Sequence, residues 1–243
     1  IKAIEPDFNQ HFDNKISRAY YKMWEIIRNS AFNKQLVTQN QLRILNLAES
    51  PGGFVQAIID FRKQFNIADD ITAISISPND GTSAWPSSYE KSLVGYVSSL
   101  INVSITNNKG VYTEVSKGHT GTLHLMDGDL YDEPTRTKLF KGNDHHNGYE
   151  AEADKADFIS GDGGVHSERD EDQELINQKL LFSQAVMAMM CQKEGGTFVL
   201  KCFDIAHEFT ANIVAILCAM YTDVNIYKPK GSRPANSEKY LIC

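Results

Sequence analysis

Short apolar runs alternate with helix-patterned stretches along this chain, and that alternation limits the fold more than any other feature. LRILNLA (42–48), ITAISIS (71–77), TLHLMDG (122–128), ADFISGD (156–162), GTFVLKCF (196–203), DVNIYKP (223–229) and KYLIC (239–243) have the length and apolar character of buried strands. Helices are predicted over 14–30, from about 54 to 65, from about 172 to 193 and near 206–221. In the first, Ile16, Tyr20, Met23 or Trp24, and Ile27 recur at helical spacing, which leaves Arg18, Lys22 and Glu25 on the polar face. Strands separated by helices imply the α/β class: a Rossmann-like, doubly wound, mostly parallel sheet flanked by helices. Ligands of such sheets bind beyond the carboxyl ends of the strands.

The 243 residues are expected to form a single domain, 1–243, and a first residue of Ile1 rather than Met suggests excision from a longer protein with further domains or partners. No apolar run approaches the length of a bilayer span, so no membrane partner is expected. Cys191, Cys202, Cys218 and Cys243 lack CxxC spacing and partnered His pairs, which favours a reducing, intracellular setting over a disulfide scaffold or zinc site. The sequon at Asn102 is then accidental. A net charge of -7 disfavours indiscriminate coating of nucleic acid. The charge is uneven, however: acids crowd 127–174, while 1–43 and the stretch carrying Lys228, Lys230, Arg233 and Lys239 are basic. A local positive surface for RNA is therefore expected on an acidic protein. The segment 129–155 is polar and without sustained period, and reads as a surface excursion that orders over substrate. His145 and His146 within it are expected to be solvated rather than metal-binding, because adjacent imidazoles point apart.

After the first strand the chain runs Ala48-Glu49-Ser50-Pro51-Gly52-Gly53-Phe54 directly into a helix. Paired glycines allow a tight turn, and a helix start offers free N–H groups to a small charged ligand. The loop is neither a P-loop nor a GxGxxG turn. Asp129 and Asp162 follow two further strands and suit an amine-bearing, adenosine-like cofactor. Lys22, Asp162, Lys201 and Glu238 form a second set, each in a short distinctive segment: SRAYYKM, DFISGDGG, GTFVLKCFD and SRPANSEKYLIC. Two lysines interleaved with two carboxylates suit a site that uses one amine as a base, since a second cation disfavours protonation of the first. Methylation of a ribose hydroxyl needs such a site.

AESPGGF, GDL, SGDGG, LKCFD and SRPANSEKY together resemble the S-adenosylmethionine-dependent ribose 2′-O-methyltransferases of the FtsJ-like group, most closely the cap-specific mRNA enzymes. The resemblance runs from SRAYYKM to the C-terminus. It implies that Lys201 is the general base and that Lys22, Asp162 and Glu238 complete a catalytic tetrad. It also implies that Ala48, Glu49, Ser50, Pro51, Gly52, Gly53, Phe54, Asp129 and Leu130 line the pocket for S-adenosylmethionine, with no metal required. Ser17, Arg18 and Arg233 are the expected contacts to a capped, single-stranded RNA 5′ end. Cellular enzymes of this kind imply the nucleus, and viral ones the cytoplasmic site of transcription or the virion. One departure stands out: ITAISIS ends without the acid that often holds a cofactor ribose. The rival functions are 2′-O-methylation of ribosomal or transfer RNA, a silent RNA-binding domain and a nicotinamide oxidoreductase.

Overall fold

In the computed structural model, β1 (Arg43–Leu47) lies inside a sheet whose nine described strands are ordered β4-β3-β5-β2-β1-β6-β7-β9-β8. The structure describes residues 15–29, 31–32, 34–38, 41–62, 65, 69–76, 85, 103–107, 113–114, 121–142, 147–165, 169 and 172–243. The other strands are β2 (Asp70–Ser75), β3 (Val103–Asn107), β4 (Thr113–Glu114), β5 (Gly121–Asp127), β6 (Ala156–Gly161), β7 (Gln192–Cys202), β8 (Asn225–Tyr227) and β9 (Lys239–Ile242). β3, β5, β2, β1, β6 and β7 run parallel, while β4, β9 and β8 each pair antiparallel. From β1 the chain winds outward through β2 to β3 and β4, fills the gap with β5, then crosses to β6 on the other side of β1. The switch point therefore falls where β1 and β6 end, which is where a ligand crevice opens in such sheets.

Helices α1 (Ala19–Arg28), α2 (Lys34–Thr38), α3 (Gly53–Arg62), α4 (Glu133–Lys141), α5 (Gln173–Cys191) and α6 (Glu208–Met220) cover the sheet. Alternation within the strands feeds two cores. Ile44, Phe158, Tyr240 and Ile242 pack with α1 and α3. Leu45, Leu47, Ile159 and Leu241 pack with α5 and α6. Each fully buried Leu, Ile or Phe contributes roughly 1.5–3 kcal/mol, so both helical layers are strongly held.

All ten residues of α3 are buried, two of them charged, and each charge is neutralised in place. Arg62 grips Asp69 with two N–H groups at 2.8 Å and donates to the Leu36 carbonyl at 2.6 Å. Asp60 accepts from Lys15 Nζ and the Tyr20 hydroxyl, both at 2.8 Å, and Gln56 Oε1 accepts the Ile16 N–H at 3.0 Å. This second set lashes the start of α1 across α3, and α1 carries Lys22.

The observed elements depart from expectation in three places. The first helix is Ala19–Arg28 rather than 14–30, because Lys15 and Ile16 are already committed to Asp60 and Gln56. The excursion at 129–155 contains helix α4 and a short 3₁₀ turn, Glu152–Asp154. Only Leu139 of α4 is buried, so no apolar period announces it. It starts instead from Asp132, whose carboxylate accepts the Thr135 N–H at 3.1 Å beside Pro134. Strands β3 and β4 were also unanticipated. His145, His146 and Asn102 lie outside the described residues.

Candidate active site

The loop after β1 closes in on itself. Ala48 takes a left-handed φ of 53°, which turns the following residue inward. Glu49 is 4% exposed; its N–H donates to the Ile74 carbonyl at 3.1 Å and its carbonyl accepts from Gly52 N–H at 2.9 Å. Its side-chain Oε1 accepts the Phe54 and Val55 N–H groups at 2.7 and 3.1 Å. The first donors of α3, expected to be free for a ligand, are therefore already satisfied by Glu49. Burial and the neighbouring Asp162 raise the Glu49 carboxyl, against the pull of those N–H bonds and of Lys201, up to about 8.

Gly53 is required by packing. A Cβ built there would lie 2.2 Å from Ser17 Oγ and 2.9 Å from both Ala19 Cβ and Tyr20 N. The absence of a side chain is what lets the start of α1 cross α3. Ser17, expected to contact RNA, has its hydroxyl buried at that crossing with no hydrogen-bond partner. Arg18 and Arg233 are exposed.

Asp162 and Lys201 stand at the carboxyl ends of adjacent parallel strands, β6 and β7. Lys201 Nζ donates to the Asp162 carbonyl at 2.6 Å and lies 3.3 Å from its carboxylate Oδ1. Tyr240 donates its hydroxyl to the same Oδ1 at 2.8 Å. Lys22 reaches in from α1 to Glu238, 2.8 Å from Oε1 and 2.9 Å from Oε2, and Ser232 donates its hydroxyl to Oε1 at 2.7 Å. Burial raises the Glu238 carboxyl, but the Lys22 ammonium, the Ser232 hydroxyl and Lys201 outweigh it and hold the group below the ordinary carboxylate range. The four charged residues thus form two ion pairs within electrostatic reach of each other. Gly164 lies beneath: a Cβ there would come 2.9 Å from Lys201 Nζ.

Tyr240, Ser232 and Gly164 were not picked out as site residues from the sequence. All three lie within or beside the motifs read there, and nothing in a hydroxyl's or glycine's spacing says which carboxylate or amine it meets.

Asp129 follows β5, accepts the Tyr131 N–H at 2.8 Å through Oδ1 and is partly exposed. The neighbouring Leu130 side chain belongs to the core. β2 ends at Ser75, and no acid follows directly, since Ile76 is next and exposed. Among the described residues no cluster of His, Cys, Asp and Glu could hold a metal ion, and no helix is long and apolar enough to cross a membrane. A separate cleft of about 770 Å³ opens at the other end of β7, lined by Lys34, Lys155, Gln192, Thr197 and Tyr221 among others, and includes none of the four charged residues.

A doubly wound sheet with this crevice has the architecture of a Rossmann-like class I methyltransferase. The chain belongs to the FtsJ-like methyltransferase family, whose pattern it matches over residues 16–243. It is similar to the cap-specific mRNA (nucleoside-2′-O-)-methyltransferase 1 of Homo sapiens, 39% identical over 87 residues, covering 35% of this chain and 10% of that protein. The protein of the same name from Caenorhabditis elegans is 37% identical over 87 residues. The matched stretch thus spans about a tenth of these relatives' length. A crystal structure assigned as a ribosomal RNA methyltransferase from Plasmodium falciparum shares the fold, with a TM-score of 0.56 at 21% identity, over 93% of this chain and 96% of that one.

Proposed function

We propose that this chain methylates the ribose 2′-hydroxyl of the first transcribed nucleotide of capped mRNA, using S-adenosylmethionine. The observation that carries the reading is the meeting of the Lys22–Glu238 and Lys201–Asp162 pairs at the switch point, beside the loop from Ala48 to Phe54. The strand ends suit the cofactor chemically: Glu49, Asp129 and Asp162 follow β1, β5 and β6, and acids there match a ligand that bears a sulfonium and an ammonium. Bound S-adenosylmethionine supplies an activated methyl group, so the protein has to supply alignment and a base.

In this reading Lys201 takes the 2′-hydroxyl proton as the oxygen attacks. Two contacts to Asp162 aim its Nζ, and Tyr240 holds that carboxylate still. Lys22, braced by Glu238 and Ser232, orients the ribose and supplies a second positive charge beside the developing alkoxide. Exposed Arg18, Lys228, Lys230 and Arg233 flank the four residues and serve the RNA phosphates. Such an enzyme works where capped transcripts are made.

The test is transfer of labelled methyl from S-adenosylmethionine to a short capped RNA, with mapping of the modified ribose. Methylation of the first transcribed nucleotide, absent from the DNA counterpart, is expected. The Plasmodium falciparum neighbour favours a second reading, methylation of another RNA. Equal modification of capped and uncapped transcripts at internal riboses would select that one.

A further inference from the structure

We propose that Glu49 is the residue by which this protein prefers the cationic methyl donor over its neutral, demethylated product. The inference deepens the proposed cofactor site and rests on that reading.

Glu49 is held at both backbone groups, to Ile74 and Gly52, so its side chain starts from a fixed backbone. Oε1 is committed to the Phe54 and Val55 N–H groups. No described residue donates to Oε2. A fully buried oxygen without a partner would stand with the Ser17 hydroxyl among the orphaned atoms, and it does not, so Oε2 keeps some access to the outside of the core. The carboxylate therefore has a structural half, which caps α3, and an unclaimed half at the end of β1.

The surroundings leave that half short of a cation. Asp162 at the end of β6 repels it, Lys201 on β7 attracts it, and Tyr240 on β9 also feels its field. Lys201 is already in contact with Asp162, so local negative charge exceeds positive. Burial above all, and then this conflict, holds the group near 8 in the free protein. A ligand bringing a fixed positive charge resolves the conflict by ionising Glu49 and then attracting it. A ligand without that charge gains nothing. S-adenosylmethionine and S-adenosylhomocysteine share adenosine, ammonium and carboxylate and differ in the sulfonium, so an anion within electrostatic reach of the bound ligand would separate them.

Calorimetric titration of both ligands at pH 7 and pH 9, on wild type and on Glu49→Gln, tests this. Glutamine keeps an acceptor for the α3 cap, and thermal melts check that the variant folds. A group titrating near 8 is about one-tenth ionised at pH 7 and nine-tenths at pH 9, so wild-type affinity for S-adenosylmethionine should tighten about tenfold between them. Subtracting the same comparison in Glu49→Gln removes titration of the ligands' own amines. Glu49→Gln should weaken S-adenosylmethionine about tenfold at pH 9 and shift S-adenosylhomocysteine by less than twofold. At pH 7, calorimetry of wild type in buffers of different ionisation enthalpy should detect release of close to one proton with the donor and little with the product. This measurement keeps the test alive if the variant fails to fold. Equal losses for both ligands, or no proton release, would overturn the inference while leaving the cofactor site standing. Binding of neither ligand to wild type would overturn the site itself.

Discussion

Tyr240 sits directly opposite Lys201 in the β7–β9 ladder and donates its hydroxyl to Asp162, the residue that Lys201 also contacts. Burial keeps the phenol protonated, so it remains a donor. Three strands thereby fix one carboxylate. Lys201 meets Asp162 twice, donating to its carbonyl at 2.6 Å and lying 3.3 Å from its Oδ1.

Lys201→Ala should lower kcat by about 10²–10⁴-fold, the usual worth of a positioned base, while S-adenosylmethionine affinity stays within a few-fold. Lys201→Arg should fail as well, because a guanidinium stays protonated near neutral pH. Single-turnover methyl transfer together with calorimetry measures both. Wild-type turnover by the arginine variant would remove Lys201 from the role of base.

Gly164→Ala places a methyl group 2.9 Å from Lys201 Nζ and 3.0 Å from Cε. The flexible end of a lysine yields before the backbone does, so the fold should survive with the amine displaced by a few tenths of an ångström or more. Misplacement of this kind costs on the order of 10²-fold in rate. The expected result is a strong loss of kcat with a melting temperature close to wild type.

Gly53→Ala should act on stability instead. Its Cβ meets the start of α1, where Ala19 Cβ and Tyr20 N cannot move without shifting the helix. Overpacking of this sort costs about 1–3 kcal/mol. Ser17→Ala, which deletes the orphaned hydroxyl at the same crossing, should be neutral or stabilising and should recover part of the Gly53→Ala loss. Urea unfolding of the two single variants and the double variant reads all three effects.

Two site carboxylates should give opposite pH dependences of stability. Glu49 is raised on folding, so its contribution is fully present below the unfolded value near 4.5 and is lost as pH rises through about 8. At roughly 1.4 kcal/mol per unit, the loss amounts to several kcal/mol by pH 9. Glu49→Gln should therefore gain on wild type as pH rises from 6 to 9. Glu238 is lowered on folding, so its contribution is present above the unfolded value and is lost as pH falls through the folded one. Glu238→Gln should be the less stable protein near neutrality and converge on wild type in acid. Melting curves across pH 3–9 distinguish the two.

The strands that carry Asp162 and Lys201 were legible because each is a continuous apolar run, and such runs in a parallel sheet end where ligands bind. Lys22 and Glu238 were not legible that way. Neither ends a parallel strand, and only resemblance to a family joined them to the other pair. The loop from Ala48 to Phe54 was legible as the turn from β1 into α3, but its helix N-terminus was expected to be open. Closing it depends on one side chain doubling back, and a glutamate five residues before an amide carries no sign of that. Helix α4 escaped because a helix with one buried residue has no apolar stripe, although Asp132, Pro134 and Gly142 mark both of its ends.

Lys22 and Glu238 are 216 positions apart, and Glu25 on the same helix accepts from Tyr227, Lys230 and Gly231, at least 202 positions away. Bringing such distant stretches together carries the closure entropy of nearly the whole domain, which nothing short of completed core packing offsets. A copy ordered over only part of its length thus holds half a site at most. Damage by heat or acid should abolish the proposed methyl transfer outright rather than loosen its choice of substrate, which would make that activity a gauge of the chain's own integrity.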